Sequence, residues 1–205
     1  MTDAGHDWVE VSADEVEGGA YRWLTACVVP RPIAWVSTVS ADGVRNLAPH
    51  SFFTVVSGDP PVIAFVSVGT KDTLRNVRAT GEFVVCLAGA ELADQVNATS
   101  ARFGPDVDEV SAAGLATLPS TSVTPERVAL SPVAIECGTA GEQVFGEGPR
   151  ASTVVFGRVR RIAVHADVLA ADGLPDPVRL APVARLGRNQ WAHLGEVFEL
   201  DRPEV

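Results

Sequence analysis

Two strand-like runs surround a tight turn in the first third of the chain. The first run, IAWVSTVS, begins at Ile33, and the second, VRNLAPHSFFTVVS, begins at Val44. The pair Asp42-Gly43 between them is a strong hairpin signal, because such turns match the twist of antiparallel strands. A third run, PVIAFVSV from Pro61, is almost entirely apolar and indicates a strand buried on both faces. Together the runs predict a three-stranded meander.

The period of the apolar positions changes after the third run. In TKDTLRNVRATG, Leu74 and Val77 share one helical face. Thr70 or Asp72 is the predicted N-cap, because their side-chain oxygens can accept hydrogen bonds from the first helical turn. Gly81 is the predicted C-terminal cap, in a left-handed conformation. This segment therefore predicts a short helix between two strands.

The remainder of the chain is mostly strand-like. Strands are predicted from Glu82 (EFVVCLA), from Val133 (VAIECGTAGEQVFG) and from Ser152 (STVVFGRVRRIAVHADVL). A short helix is predicted from Glu91, whereas residues 103–123 show only weak helical character. Many antiparallel strands with a few short helices predict a mainly β barrel, although the periodicity does not give its strand order.

Length and composition favour one globular domain. The chain has 205 residues, of which 46% are hydrophobic and 20% are charged, so it can bury a core without disulfide bonds. We expect a single domain over 1–205, with a core at about 25–165 and a C-terminal arm, punctuated by Pro, Gly and Arg, at 166–205. The three cysteines are widely spaced and the start MTDAGHDWVE lacks signal-peptide features. We therefore expect reduced thiols and a cytoplasmic location.

Charge and motifs narrow the classes of function. The formal net charge is −10 and no cluster of Lys or Arg is present, so we expect neither nucleic acid nor a membrane as partner. The histidines lack metal-ligand spacing, and we predict no metal site. GEGPRA from Gly146 matches a dinucleotide-binding pattern, but Pro149 and the β-branched residues that follow favour a hairpin loop.

Hydroxyl, aromatic and cationic side chains concentrate on the predicted strands and at the predicted helix start. They are Ser37 and Thr38 in the first strand, His50, Ser51, Phe52 and Phe53 in the second, Ser67 in the third, and Lys71, Asp72 and Thr73 at the helix. Free helix amides, hydroxyls and the only lysine of the chain suit a phosphate, and aromatic strand edges suit a planar ring. Together they describe a flavin mononucleotide. The alternative is that the hydroxyls only fill strand positions and that Lys71 is a solvated helix residue.

Three segments resemble the flavin reductase-like family of FMN-binding split barrels. They are PRPIAWVSTVSADGVRNLAPHSFFTVVSGDPPVIAFVS from Pro30, KDTLRNVRATGEFVV from Lys71 and RLGRNQWAHLGEVFEL from Arg185, whereas residues 90–128 match poorly. Within the family the sequence is most similar to the flavoredoxin-type branch. The resemblance implies a mainly β, six-stranded antiparallel split β-barrel with a few short helices. It also implies a homodimer with one FMN per subunit, and FAD remains an alternative.

The resemblance further implies roles for individual residues. Main-chain groups around His50, Ser51, Phe52, Phe53 and Thr54 hold the ring, and Ser37, Thr38, Ser67, Lys71 and Thr73, next to Asp72, hold the phosphate. Trp35 lines the pocket, and Arg185 and Trp191 approach the cofactor of either subunit. His50 is a hypothetical catalytic group that stabilises charge on the reduced ring. Alternatively, Trp35 and Phe52 are core residues and Arg185 only anchors the arm.

The implied function is that of an NAD(P)H:flavin reductase that supplies reduced FMN to a partner flavin-dependent monooxygenase. In that activity the cofactor carries the chemistry and the protein supplies position and electrostatics. One alternative is a flavoredoxin-like electron-transfer protein without efficient NAD(P)H turnover. Another is a binding module of the same fold that has lost its flavin. The choice between NADH and NADPH stays open.

Overall fold

Seven strands form the main sheet of the protein. The computed structural model describes residues 7–17, 19–104 and 106–203, so the first six residues of the N-terminal sequence lie outside it. The strands are β1 (Arg31–Pro32), β2 (Ala34–Val39), β3 (Arg45–His50), β4 (Phe53–Gly58), β5 (Pro61–Val68), β6 (Glu82–Cys86), β7 (Thr117–Leu118), β8 (Arg127–Val128), β9 (Val133–Phe145), β10 (Ser152–Val164), β11 (Val183–Arg185) and β12 (Trp191–His193). The helices are α1 (Ala20–Cys27), α2 (Asp72–Thr80), α3 (Ala93–Ala98), α4 (Glu109–Ala112) and α5 (Pro177–Leu180), with 3-10 turns at Ala90–Leu92, Gly148–Arg150 and Ala166–Val168.

The main sheet is antiparallel and has the order β3-β2-β6-β9-β10-β5-β4. Its mainly β content with a few short helices agrees with the prediction, but the sheet has seven strands where the resemblance implied six. The count differs because the predicted second strand forms two strands, β3 and β4. Within the described ranges no ladder pairs the two outer strands with each other, so the sheet does not close into a barrel.

A bend at Ser51 and Phe52 separates β3 from β4. Before the bend, β3 pairs with β2, and after it, β4 pairs with β5, at the opposite end of the sheet. The predicted three-stranded meander is therefore wrong, since the middle strand changes partners halfway along. The amide of Val66 on β5 donates to the carbonyl oxygen of Phe52 at 2.9 Å, which ties the bend to the far side of the sheet.

The main sheet buries side chains on both faces, because successive residues of a strand point to opposite sides. An inner core gathers Val36, Phe65, Phe83 and other residues, with Leu74 of α2 packed against them. An outer core contains Trp35 and Leu47, together with other residues of the strands and of α3 and α4: Val84, Cys86, Val96 and Val110. Thus β2 and β6 each contribute to both cores.

Helix α2 covers one end of the inner core. Leu74 and Val77 are buried there, as the sequence pattern predicts. Gly81 adopts the predicted left-handed conformation with φ of 72°. The predicted N-cap is wrong, since Lys71 occupies that position and its side chain makes no capping hydrogen bond. The helix thus begins without side-chain partners for its first amides.

The C-terminal segment returns to the start of the main domain. Strand β11 pairs with β1 and with β12 in a separate three-stranded sheet, and Val183 is buried in the outer core. The long strands β9 and β10 form a hairpin, which confirms that GEGPR is a hairpin loop and not a dinucleotide-binding turn. In the part of the chain that the structure describes, no helix has the length and apolar character needed to span a bilayer.

Candidate functional site

A buried polar network lies where β2, β3 and α2 meet. The amide of Asn46 lies 3.1 Å from the hydroxyl oxygens of both Thr38 and Thr73. One orientation of the amide satisfies the hydrogen-bonding groups around it. In that orientation the amide oxygen accepts hydrogen bonds from the two hydroxyls, and the amide nitrogen donates to the carboxylate of Glu109, 3.2 Å away. Thr38 also accepts a hydrogen bond from Asn76 at 3.1 Å. The network therefore links the two strands to the first turn of α2.

His50 closes this network on the β5 side. Its Nδ1 lies 3.0 Å from the carbonyl oxygen of Val66, and its Nε2 lies 3.4 Å from the hydroxyl of Thr73. Because a carbonyl oxygen only accepts, the neutral ring carries its proton on Nδ1. Burial, together with the charge of Lys71, lowers the pKa of His50 to about 4, although the hydrogen bond to Val66 opposes the change. At neutral pH the ring thus donates a hydrogen bond and brings no positive charge.

The start of α2 presents free hydrogen-bond donors. The first amides of a helix have no partner within the helix, and here no side chain caps them. Lys71 is exposed and forms no ion pair within the described ranges, whereas Asp72 pairs with Arg75 on the next turn. Amides, helix dipole and ammonium together favour a bound anion at this position.

The loop before α2 is fixed by a close backbone approach. Gly69 has φ of +73°, and a Cβ there would lie 2.8 Å from the carbonyl oxygen of Pro149. Its amide donates to the carbonyl oxygen of Ala151 at 2.9 Å, and its carbonyl oxygen accepts from the hydroxyl of Ser67 at 3.0 Å. The loop between β9 and β10 therefore holds the segment that leads to Lys71.

The structure divides the predicted phosphate-binding hydroxyls. Thr38 and Thr73 join the polar network, together with His50, beside Lys71 and Asp72. Ser37 lies on the opposite face of β2, since it pairs with Leu47 and Val84 of the outer core. One phosphate therefore cannot contact the side chains of both Ser37 and Thr38.

Trp35 lies in the outer core. Its side chain is 0% exposed, and its indole N–H donates to the hydroxyl of Thr99 at 2.8 Å. This placement favours the alternative that Trp35 is a core residue.

The aromatic residues at the bend differ in their surroundings. Phe53 packs against the inner core, while Thr54 is exposed on β4. Phe52 is half-buried between Tyr21 and Arg31. The ring centroids of Phe52 and Tyr21 are 6.2 Å apart, and the guanidinium carbon of Arg31 lies 5.9 Å from the centroid of the Phe52 ring.

Two of the predicted residues, Ser51 and Arg185, border an open cleft. The cleft has a volume of about 450 Å³ and is lined by Tyr21, Arg22, Arg31, Ser51, Arg185 and Arg188, among others. The guanidinium of Arg185 stacks on Trp191, with its carbon 5.0 Å from the ring centroid. The cleft and the polar network are next to each other, because Ser51, which lines the cleft, directly follows His50, which belongs to the network.

The residues of these sites that were not predicted include Arg31, Asn46 and Glu109. Glu109 is buried and accepts from the amide of Leu47 at 2.7 Å. Desolvation raises the pKa of Glu109 to about 7, and the charges of Asp72 and Asp108 add to the effect. Asn46 and Arg31 were visible within the motifs NLAPHSFF and PRP, whereas no sequence pattern marks Glu109.

The fold and the two sites define a mainly β protein with uncapped amides and an exposed lysine at a helix start and an arginine-lined cleft nearby. The profile of the flavin reductase like domain matches residues 26–177. The chain belongs to the flavin reductase-like family.

Known relatives cover nearly the whole chain. An uncharacterized protein of Halalkalibacterium halodurans is 40% identical over 90% of this chain and 91% of its own. The nitrilotriacetate monooxygenase component B of Bacillus cereus is 30% identical, with a TM-score of 0.91, 96% of this chain covered and 100% of the other. A candidate flavin reductase with a split barrel domain from Shewanella frigidimarina shares the fold at 18% identity, with a TM-score of 0.84 over 97% of this chain and 100% of the other.

Proposed function

We propose that this chain is an FMN-binding NAD(P)H:flavin reductase that supplies reduced FMN to a separate monooxygenase. The observation that carries the proposal is the start of α2. There the uncapped amides and the ammonium of Lys71 lie next to the polar network, with Thr73 Oγ1 3.4 Å from Nε2 of His50. A phosphate fits this donor set, because its negative charge is favoured by both the helix dipole and the ammonium.

The bent strand provides the groups that would hold the flavin ring. Strand β4 lies at the edge of the sheet, so half of its main-chain groups have no partner in a ladder. Such groups, near Ser51 to Thr54, can donate to and accept from the heteroatoms of the ring, and Phe52 offers an aromatic face. Bound there, FMN would supply hydride acceptance from a nicotinamide and electron transfer to an acceptor.

The side chains around this site would bind the phosphate and hold the start of α2 in place. Lys71 would neutralise phosphate charge, while Thr38 and Thr73 keep the start of α2 in place through Asn46. His50 would act as a neutral hydrogen-bond donor to the carbonyl oxygen of Val66. We assign no side chain as a proton donor, since hydride acceptance by the ring does not need one.

A homodimer is part of the same proposal. The apolar side chains of Leu24 and Val28 on or next to α1, and of Val55 and Val56 on β4, are exposed to solvent in the isolated chain. Exposed apolar patches of this kind are typical of protein–protein contacts. The edge of β4 also lies next to the bend, so a partner there would approach the proposed flavin site.

A partner monooxygenase is supported by one relative. The structurally similar Bacillus cereus protein is named as component B of a monooxygenase, and its similarity extends over 96% of this chain. We infer that the reduced flavin made here is consumed by a second protein of that kind, a flavin-dependent monooxygenase.

The assignment of the phosphate site is tested by titrating the protein with FMN and with riboflavin, which lacks the phosphate. We expect Lys71→Ala to weaken FMN binding about tenfold, and to leave riboflavin binding within twofold, because a charge-assisted contact contributes about 1.5 kcal/mol. Arg158→Ala removes the same charge from an exposed position of β10 and is the matched control. Equal weakening of FMN and riboflavin, or no change for FMN, would place the phosphate elsewhere.

The activity is tested by steady-state oxidation of NADH and NADPH with added FMN. Continuous turnover supports a reductase. Tight FMN binding without turnover would instead indicate an electron carrier. No binding of FMN in the titration, together with no turnover, would contradict the proposed function.

A further inference from the structure

Four arginines line the open cleft between α1 and the C-terminal sheet: Arg22, Arg31, Arg185 and Arg188. The chain as a whole carries 26 acidic and 16 basic residues, so this concentration of positive charge is unusual for it. Glu17 is the single carboxylate among the lining residues. None of the four guanidinium groups forms an ion pair within residues 7–17, 19–104 and 106–203.

Arg31 is buried without a counter-charge. It is 7% exposed, and its terminal nitrogens donate to the carbonyl oxygens of Val28 at 2.7 Å and of Leu186 at 2.8 Å, as well as to Thr25. Its Nε is buried without any hydrogen-bond partner in the described structure. Removing a charge from water is costly unless an opposite charge replaces the lost hydration. Neutral carbonyl groups compensate only in part, so an anion in the cleft would stabilise this guanidinium.

The opposite wall of the cleft is held rigid. The guanidinium of Arg185 stacks on Trp191 and donates to the carbonyl oxygen of Arg188 at 2.9 Å. Arg188 adopts a left-handed conformation with φ of 56°, which is uncommon for a residue other than glycine. Gly187 allows this turn to pack on α1, because a Cβ there would lie 3.1 Å from Cα of Ala26. The backbone of this turn and the guanidinium of Arg185 are therefore held in place.

The shape and chemistry of the cleft fit a nucleotide. Its volume of about 450 Å³ lies in the range of small-molecule sites. A guanidinium group can donate two parallel hydrogen bonds to the oxygens of one phosphate. Tyr21 and Trp23, which also line the cleft, offer aromatic surface for a base. Ser51 connects the cleft to the bend that ends at the proposed flavin ring.

We propose that this cleft binds the diphosphate of a dinucleotide, separately from the phosphate site at α2. Resting on the proposed function, that dinucleotide is the nicotinamide hydride donor, because Ser51 places the cleft beside the flavin site. The free phosphate of FMN has the same chemistry, and the experiment therefore includes both ligands.

The test uses isothermal titration of the full chain with ADP-ribose, which carries the diphosphate but no nicotinamide, and with FMN. The variant is Arg22→Gln combined with Arg188→Gln, since both side chains are exposed and form no side-chain hydrogen bonds in the described structure. We expect ADP-ribose binding to weaken at least tenfold, FMN binding to stay within twofold, and KM for NAD(P)H to rise more than kcat falls. Arg102→Gln combined with Arg158→Gln removes the same charge from exposed positions and is the control.

Three outcomes would overturn the proposal. The first is that the unmodified protein does not bind ADP-ribose detectably. The second is that the Arg22→Gln, Arg188→Gln variant and the control variant bind ADP-ribose equally well. The third is that the Arg22→Gln, Arg188→Gln variant loses FMN binding while its binding of ADP-ribose is unchanged. The last result would assign the flavin phosphate to the cleft. If the unmodified protein binds ADP-ribose as expected but neither binds FMN nor oxidises NAD(P)H, the cleft is supported as a diphosphate site while the proposed function fails.

Discussion

Nδ1 of His50, the last residue of β3, lies 3.0 Å from the carbonyl oxygen of Val66 on β5. These strands belong to opposite halves of the sheet, since β3 is one outer strand and β5 is next to the other. The imidazole therefore connects the two ends of the sheet through a side chain, beside the bend where the main chain also crosses between them. Its ring packs against Phe65 with centroids 4.8 Å apart.

Replacing this connection should lower the stability of the protein. We expect His50→Leu to reduce the free energy of unfolding by about 1–3 kcal/mol, because the buried carbonyl of Val66 would lose its partner. His50→Asn keeps a donor near the position of Nδ1 and should lose less than half as much. Urea denaturation monitored by tryptophan fluorescence measures both. Equal losses in the two variants would show that the hydrogen bond contributes little.

Two buried groups should give opposite pH dependences of stability. Burial raises the pKa of Glu109 from its ordinary 4.5 to about 7, so the folded protein retains a proton that the unfolded chain releases. The free energy of unfolding therefore falls as pH rises through that window. Burial lowers the pKa of His50 from 6.5 to about 4, so the unfolded chain binds the additional proton and stability rises with pH in that range.

The Glu109→Gln variant removes the contribution of Glu109 to the pH dependence of stability and keeps that of His50. We expect its stability to rise with pH between 4.5 and 6.5 more steeply than that of the unmodified protein, because the effect of His50 is no longer offset. At pH 7.5 the variant should be more stable by about 1–3 kcal/mol, given that one pKa unit corresponds to about 1.4 kcal/mol. Urea denaturation at several pH values measures this, with Glu147→Gln, at an exposed position, as the control. A pH profile identical to that of the unmodified protein would contradict the pKa of Glu109.

Gly69 and Gly43 form a matched pair for a test of the loop before α2. Both have positive φ, +73° and +87°, but only at Gly69 would a Cβ meet another atom closely, the carbonyl oxygen of Pro149 at 2.8 Å. Gly43→Ala should cost about 1–2 kcal/mol, the usual strain of a left-handed alanine.

The cost of Gly69→Ala should exceed that of Gly43→Ala, since it also forces the loop away from the β9–β10 hairpin. Because this loop leads to Lys71, FMN binding should weaken in Gly69→Ala and not in Gly43→Ala. Thermal unfolding and FMN titration measure the two effects. The same affinity for FMN in both variants would show that the loop does not position the phosphate site.

The proposed homodimer depends on the apolar patch of α1. Leu24→Asp should convert a dimer into a monomer, because a carboxylate in an apolar contact would be buried without a partner. Light scattering coupled to size-exclusion chromatography measures the mass. Leu174→Asp introduces the same charge at another exposed leucine and should leave the mass unchanged. A monomeric unmodified protein would contradict the dimer itself.

Local signals accounted for much of the fold. The Asp42-Gly43 turn, the apolar face of α2 and the Gly81 cap depend on residues close together in the sequence, and the structure confirms them. The change of partner at Ser51 could not be predicted, because it depends on which distant strands lie on each side of the bend. A strand pattern records which residues are buried and not which neighbour buries them.

The candidate site was predictable to a lesser degree. Thr38, His50 and Thr73 are brought together as a phosphate-site hypothesis would require, whereas Ser37 and Trp35 face the other core. Strand alternation alone would have separated Ser37 from Thr38. Glu109 was not predictable, since its contact with Leu47 joins residues 62 positions apart across a segment without a periodic pattern.

The alternation along β3 also constrains how the gene for this protein can change. Asn46 and His50 face the polar network, while Leu47 lies in the outer core and Pro49 and Ser51 line a recess with Trp191. Adding or deleting one residue in the turn before β3 would exchange these two sets if the strand shifted by a single position. Viable length variation in relatives should therefore occur outside that turn or in steps that preserve the pairing of β2 with β3.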